Sequence, residues 1–208
     1  GWESEVVVCD NNSTDATAAI AREEGAAVVF EPHNQISRAR NTGARAASGD
    51  WLLFIDADSA LDPVVLADML SAAESGRFVG GGCLIEFDFM PTAVLFAVRA
   101  WNLLSRTMGW AAGSFVFCRA DAFREVGGFS QELYAAEEVA LSMALKRWGR
   151  ARGLGFTILR RKPHLSSGRK AALYTSLEFA RVLMSLVFSP KKTLTSRKSL
   201  FYLYDQRR

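Results

Sequence analysis

Two short apolar runs in this chain end in acidic, helix-capping clusters, and that arrangement restricts the fold more than any other feature. Glu5-Val6-Val7-Val8-Cys9 leads into Asp10-Asn11-Asn12-Ser13, and Trp51-Leu52-Leu53-Phe54-Ile55 leads into Asp56-Ala57-Asp58. A short apolar run bounded by turn residues reads as a buried strand. In an open parallel sheet, ligands bind just beyond the carboxyl ends of such strands. Helix N-termini that follow them favour phosphate oxygens. Both clusters are therefore expected on one rim.

The rest of the chain alternates in the same way, as an α/β sheet covered by helices requires. Strands are expected over Glu5–Cys9, Ala26–Phe30, Trp51–Ile55, Arg77–Leu84, Ser114–Cys118 and Phe156–Arg160. Asn12 or Ser13 is expected to cap a helix running to Gly25, and Ser37 to open one ending near Gly49. Asp62-Pro63, a cap followed by proline at the first helical position, starts a helix to about Ser75. Further helices are expected over Pro91–Thr107, Asp121–Val126, Glu137–Trp148 (closed by Gly149) and Ala171–Phe188. Trp101 lies on an apolar face of the Pro91–Thr107 helix and is expected in the core.

Half of the 208 residues are hydrophobic, so a packed domain is expected. The net charge of +3 and the lack of any basic arm argue against nucleic acid as a partner. Basic residues gather in two places. Arg150, Arg152, Arg160, Arg161, Lys162, Arg169 and Lys170 could meet a diphosphate; Lys191, Lys192, Arg197, Lys198, Arg207 and Arg208 could meet an anionic membrane surface. Cys9, Cys83 and Cys118 lack metal-ligand spacing and read as buried reduced thiols of a cytoplasmic protein. The apolar stretch Leu173–Phe188 is broken by Glu178 and Arg181, so it is expected to pack on the domain or lie on the inner face of a membrane, not to cross it.

Residues two apart in extended backbone point the same way, so Asp56 and Asp58 present paired carboxylates. Such a pair can hold a hard divalent cation, or share a cation and a ribose hydroxyl. A cation there would neutralise a diphosphate leaving group. Taken alone, Asp-x-Asp is equally readable as a turn and cap.

Longer motifs separate these readings. Val6 to Thr17, Ser37-Arg38-Ala39-Arg40-Asn41-Thr42-Gly43 and Ala47 to Asp58 resemble family-2 glycosyltransferases of the GT-A fold. So do Gly113 to Arg119, Val126-Gly127-Gly128-Phe129 and Glu137 to Ser142, in that order and spacing. The resemblance implies a mixed, mostly parallel GT-A sheet over residues 1–170, with residues 171–208 as a C-terminal helix and basic tail. It implies transfer of a sugar from a nucleotide-sugar, a UDP-sugar being expected, to an acceptor hydroxyl with inversion, using Mg or Mn. The acceptor would be a glycan, a lipid-linked sugar or a small molecule, and cell-envelope polysaccharide synthesis is the expected setting.

It also implies roles residue by residue. Asp10 and Asn11 match the acidic pair that contacts the donor base, with Asn11 replacing an aspartate. Arg40 matches a basic residue near the nucleotide. Asp56 would contact ribose or metal, and Asp58 the metal. Glu138 matches the catalytic aspartate, and Glu137 is its rival; on a helix the two point about 100° apart, so one alone can face a site. His164 corresponds to a late metal ligand of some members, and Arg169 to a basic residue gripping the diphosphate. Trp110 and Gly113 lie where such enzymes approach the acceptor. His33 is given no role. Members usually begin with a strand and helix ahead of the segment that Glu5–Cys9 matches, so an N-terminally truncated domain is expected, with one side of that strand unpaired.

Two other functions fit parts of the pattern. A nucleotidyltransferase making the activated sugar would usually carry a glycine-rich basic loop, which is lacking. A non-catalytic nucleotide-sugar-binding domain would be compatible with Asn11 and Glu138 as substitutions.

Overall fold

A computed structural model describes residues 1–88, 92–168, 194–196 and 200. Seven strands and six helices alternate along them: β1 (Val7–Asp10), α1 (Thr17–Glu23), β2 (Ala27–Phe30), α2 (Ile36–Ala46), β3 (Trp51–Ile55), β4 (Ser59–Ala60), α3 (Pro63–Glu74), β5 (Phe78–Phe87), α4 (Thr92–Met108), β6 (Phe115–Arg119), α5 (Ala120–Glu125), α6 (Glu137–Arg150) and β7 (Gly155–Ser166). The helix and tail expected over 171–208 and the residue Arg169 lie outside the described residues.

The strands form two sheets. β1 and β2 pair in parallel, Val7 opposite Ala27 and Asp10 opposite Phe30. The other sheet has the order β3-β6-β5-β7-β4. Within it β5 and β7 are parallel, while β6 runs against both its neighbours and β4 against β7. Thus β3, β5 and β7 share one direction, and the sheet is mixed. Among the described residues no strand pairs with the second edge of β1 or of β3. The start of the β1 segment is tied to the turn before β3 instead: the Glu5 carboxylate accepts hydrogen bonds from Ser48 N, Ser48 Oγ and Gly49 N at 2.7–3.1 Å.

β6 divides the core by simple alternation, since successive side chains leave opposite faces of a strand. Phe115 and Phe117 join Val65, Met69 and Ala72 of α3 with Cys83 and Leu159. Val116 and Cys118 face the other way, onto Phe123, Phe129, Leu141, Leu145 and Ala44. Helices thus cover both faces. The glycine-rich stretch makes the central strand because backbone packs against backbone there. A β-carbon on Gly81 would lie 2.3 Å from the Thr157 carbonyl oxygen, and one on Gly82 2.6 Å from Ala111 Cβ. The three thiols are free; Cys83 and Cys118 are buried and Cys9 is half-buried, and burial pushes the Cys83 thiol up to about 11.

Several boundaries differ from those expected. α1 begins at Thr17 and not after Asn12 or Ser13, because Asn12 takes a left-handed conformation (φ 63°) and Asp15 caps the Thr17 N–H at 3.0 Å. α2 ends at Ala46, ahead of Gly49. Gly149 does not close α6; it lies inside the helix, where a β-carbon would come within 2.9 Å of Val79 Cγ1, and the left-handed glycine is Gly153. β7 runs six residues beyond Arg160, to Ser166. Its register shifts between Leu159 and His164, opposite Cys83 and Ile85, so Arg160 to Pro163 form a bulge that faces outward. By contrast α3 begins as read, with Asp62 Oδ1 accepting from Val64 N at 2.8 Å.

Candidate active site

The site forms where α2, the end of β3, the residues before β6 and the start of α6 meet. Its centre is Arg40. The guanidinium donates to Asp56 Oδ1 (2.8 Å), Glu137 Oε1 (2.9 Å) and the Gly113 carbonyl (2.7 Å), and it lies 5.3 Å from the centre of the Phe129 ring. Arginine suits this position because its rigid fork of donors can serve several acceptors at once. Burial works against its charge, and Asp56 and then Glu137 more than offset that, so its pKa is raised.

The adjacent glutamates have different surroundings. Glu137 is 4% exposed and pairs with Arg40. Glu138 has no salt-bridge partner among the described residues, and burial, then the Glu137 charge, pushes its carboxyl up to about 8. A β-carbon on Gly113 would lie 3.3 Å from Arg40 Nη2 and 3.6 Å from the carboxyl carbon of Glu138. Glycine at 113 therefore leaves room beside Arg40 and Glu138. Trp110 is half-buried; its carbonyl accepts from Ser105 Oγ at 2.7 Å, and the next amide, Ala111 N, donates to Ser142 Oγ at 3.1 Å.

His164 lies in β7, fully buried against the Phe115 ring at 5.1 Å. Neither ring nitrogen has a hydrogen-bond partner among the described residues. Burial lowers its pKa, while Asp56 and the Ser114 backbone pull the other way. This places His164 on the Asp56 side of the site. Asp58 is exposed. Among the described residues no three His, Cys, Asp or Glu side chains converge closely enough to hold a metal. Asp56 and His164 are close enough to interact electrostatically, but with Asp58 they form no closed ligand set.

Asp10 ends β1 and accepts from Ser13 N at 2.9 Å. Asn11 is fully engaged: its amide donates to the Glu31 and His33 carbonyls (2.8 and 2.7 Å) and accepts from Gln35 N (3.1 Å). It joins the ends of β1 and β2 to the start of α2. Of the first basic cluster, Arg152 pairs with Glu125, Arg161 with Asp68 and Lys162 with Asp62, so none of these three meets the site.

Sequence reasoning missed the residues that align this centre. Gln35 Nε2 donates to the Gln131 and Leu133 carbonyls, and Asn41 exchanges two hydrogen bonds with Phe129 (2.8 and 2.9 Å). Buried Glu31 accepts from His33 N and Thr42 Oγ1. Polar residues on α2 were the available signal, but their partners lie about 90 residues away along the chain.

The sequence profile described as glycosyl transferase family 2 matches residues 3–126 of the 208. An uncharacterized glycosyltransferase of Mycobacterium tuberculosis is 39% identical over 70 residues, which is 34% of this chain and 32% of that one. The pre-mycofactocin glycosyltransferase of the same organism is 26% identical over 131 residues, 57% of this chain and 28% of that one. The chain thus spans about a third or less of the length of these curated relatives. In three dimensions it is similar to a mannosyltransferase from Pyrobaculum calidifontis in complex with GDP-Man and Mn2+, with a TM-score of 0.65, 17% identity and coverage of 95% of this chain and 55% of that one. It is also similar to the glucosyl-3-phosphoglycerate synthase of M. tuberculosis in complex with Mn2+, UDP-glucose and phosphoglyceric acid, with a TM-score of 0.58, 16% identity and coverage of 85% and 63%. The fold is GT-A, and with its profile matched over more than half its length, the chain belongs to glycosyl transferase family 2.

Proposed function

We propose that the protein transfers a sugar from a nucleotide-diphosphate sugar to an acceptor hydroxyl, with Glu138 as the general base. The observation that carries this reading is the division of labour between adjacent glutamates: Arg40 holds Glu137 in a salt bridge, and Glu138 stands beside them without one among the described residues. A base must be ionised before it can take a proton and works best with a pKa near the operating pH. With its carboxyl pushed up to about 8, Glu138 would act through its ionised fraction, whereas Glu137 is engaged by Arg40. In the reaction the acceptor hydroxyl gives its proton to Glu138 as its oxygen bonds to the anomeric carbon. The bond from that carbon to the diphosphate oxygen breaks, and the nucleoside diphosphate leaves. A single displacement of this kind inverts the anomeric centre. Trp110 and Gly113 flank the approach of the acceptor.

Asp10 would hold the donor base, while Asn11 supports the loop beneath it. Asp56, fixed by Arg40, would face the ribose or the metal, and Arg169 the diphosphate. The exposed Asp58 carboxylate suits Mg or Mn, and the imidazole of His164, whose ring nitrogens have no hydrogen-bond partner among the described residues, would favour Mn of the two. Asp58 and His164, with Asp56, do not converge in the structure, so they would hold the ion only after drawing together around it; the ion when bound neutralises charge on the departing diphosphate. A UDP-sugar remains the expected donor, and the neighbours' complexes with GDP-Man and UDP-glucose mark the range to screen.

The test is a screen of nucleotide-sugars with Mn2+ and candidate acceptors, with both products identified. Release of a nucleoside diphosphate together with a glycosylated acceptor is expected. Release of pyrophosphate would point to nucleotidyl transfer, and donor binding without turnover on any acceptor to a binding domain.

A further inference from the structure

Helix α4 buries Val98 against the core yet turns much of its apolar surface outward and some of its polar residues inward. Two of its polar residues point inward: Asn102 bonds both the N–H and the carbonyl of Ile85 (3.0 and 2.9 Å), and buried Ser105 donates to the Trp110 carbonyl. Several of its large apolar residues point outward: Phe96 is 66% exposed and Leu103 62%, and Leu104 and Met108 are exposed beside them. At about 100° per residue these four fall within one arc, and exposed Arg99 and Arg106, two turns apart, line a single edge of it. The helix contains no acidic residue. A contiguous exposed apolar face of this kind marks an interaction surface. The arginines select among occupants. Apolar side chains bordered by arginine, with no acid among them, match an acyl region beneath anionic headgroups.

We propose that α4 docks the protein flat on an anionic bilayer surface, with Phe96, Leu103, Leu104 and Met108 in the interface and Arg99 and Arg106 on the headgroups. No helix of the described residues is long and apolar enough to cross a membrane, so the contact is peripheral. α4 ends at Met108, two residues before Trp110, so docking sets the acceptor side of the site beside the lipid surface. The contact is independent of the reaction proposed above, because none of its residues touches the Arg40 centre.

Cosedimentation of the full chain with vesicles tests this, comparing phosphatidylcholine alone with phosphatidylcholine mixed with phosphatidylglycerol. Binding to the anionic vesicles at low salt, weakened at high salt, is expected. Arg99→Glu with Arg106→Glu should weaken it by roughly tenfold or more, and Phe96→Asp with Leu103→Asp by roughly a hundredfold or more. All four side chains face solvent, so both double variants should keep the wild-type circular dichroism and melting temperature. A wild-type protein that ignores both kinds of vesicle overturns the proposal. So does a solution dimer that Phe96→Asp with Leu103→Asp dissociates without any vesicle binding, which would assign the face to a second copy.

Discussion

Arg40 decides the chemistry of its neighbours. One buried guanidinium holds Asp56 in place and pairs with Glu137, while at half-buried Glu138 desolvation and the Glu137 charge outweigh the pull of Arg40. Removing one partner of a buried pair strands the other, which typically costs about 3–5 kcal/mol. Arg40→Met should therefore lower the unfolding free energy in urea by about that amount, and abolish turnover as well. The raised Glu138 pKa has a sign that can be read in stability. The folded protein keeps this proton up to about pH 8, whereas an ordinary glutamate releases it near 4.5. Its contribution is complete below pH 4.5 and is lost as pH rises through about 8. Glu138→Gln cannot titrate, so it should gain melting temperature relative to wild type as pH rises from 6 to 9; a constant difference across that range would contradict the assignment.

At the scale of elements, the site depends on how α2 is laced to the segment that leads into α6. Asn41 bonds both backbone groups of Phe129, and Gln35 holds the carbonyls of Gln131 and Leu133. Asn41→Ala leaves two buried backbone groups unsatisfied and should cost about 2–4 kcal/mol in denaturant unfolding. Gly128 is left-handed (φ 71°), and a β-carbon there would sit 2.6 Å from Asn41 Oδ1, so Gly128→Ala should destabilise by a similar route. Such contacts were not legible in the sequence, because periodicity reports which face of a helix is apolar but not which distant backbone its polar residues meet. Local chemistry was legible. Asp62-Pro63 announced α3, and the run Trp51 to Ile55 gave β3 without a residue's error. Residues 155–166 failed as a reading because the bulge at Arg160 to Pro163 disguises one strand as a strand and a loop, which hid the burial of His164.

At the scale of the molecule, each of the two sheets ends a strand in an acidic cluster, and α2 lies between them. Asp10 closes β1 and Asp56 follows β3, and α2 spans the interval through Ala44 in the core and Arg40 in the site. The two strands, each ending in an acid, were legible from the two apolar runs. The proposed metal ligands can be read as residue types but not as a set: Asp58 immediately precedes β4 and His164 lies in β7, and no local pattern specifies the pairing of those two strands. If Asp58 and His164 serve the cation, calorimetric titration with a nucleoside diphosphate should show binding strengthened by Mn2+, and Asp58→Ala should remove the Mn2+ dependence while leaving the metal-free binding unchanged. Binding equally strong with and without Mn2+ in the wild type would remove the metal from the site.

The most direct measurement compares two variants one residue apart. With donor and acceptor saturating, Glu138→Gln should lower the rate of transfer by about 100- to 10,000-fold while nucleotide-sugar binding, followed by calorimetry, stays near that of the wild type. Glu137→Gln should instead disturb Arg40, weakening the fold and donor binding together. Near-normal transfer by Glu138→Gln, or a clean loss of transfer with intact stability in Glu137→Gln, would contradict the role of Glu138 as the base.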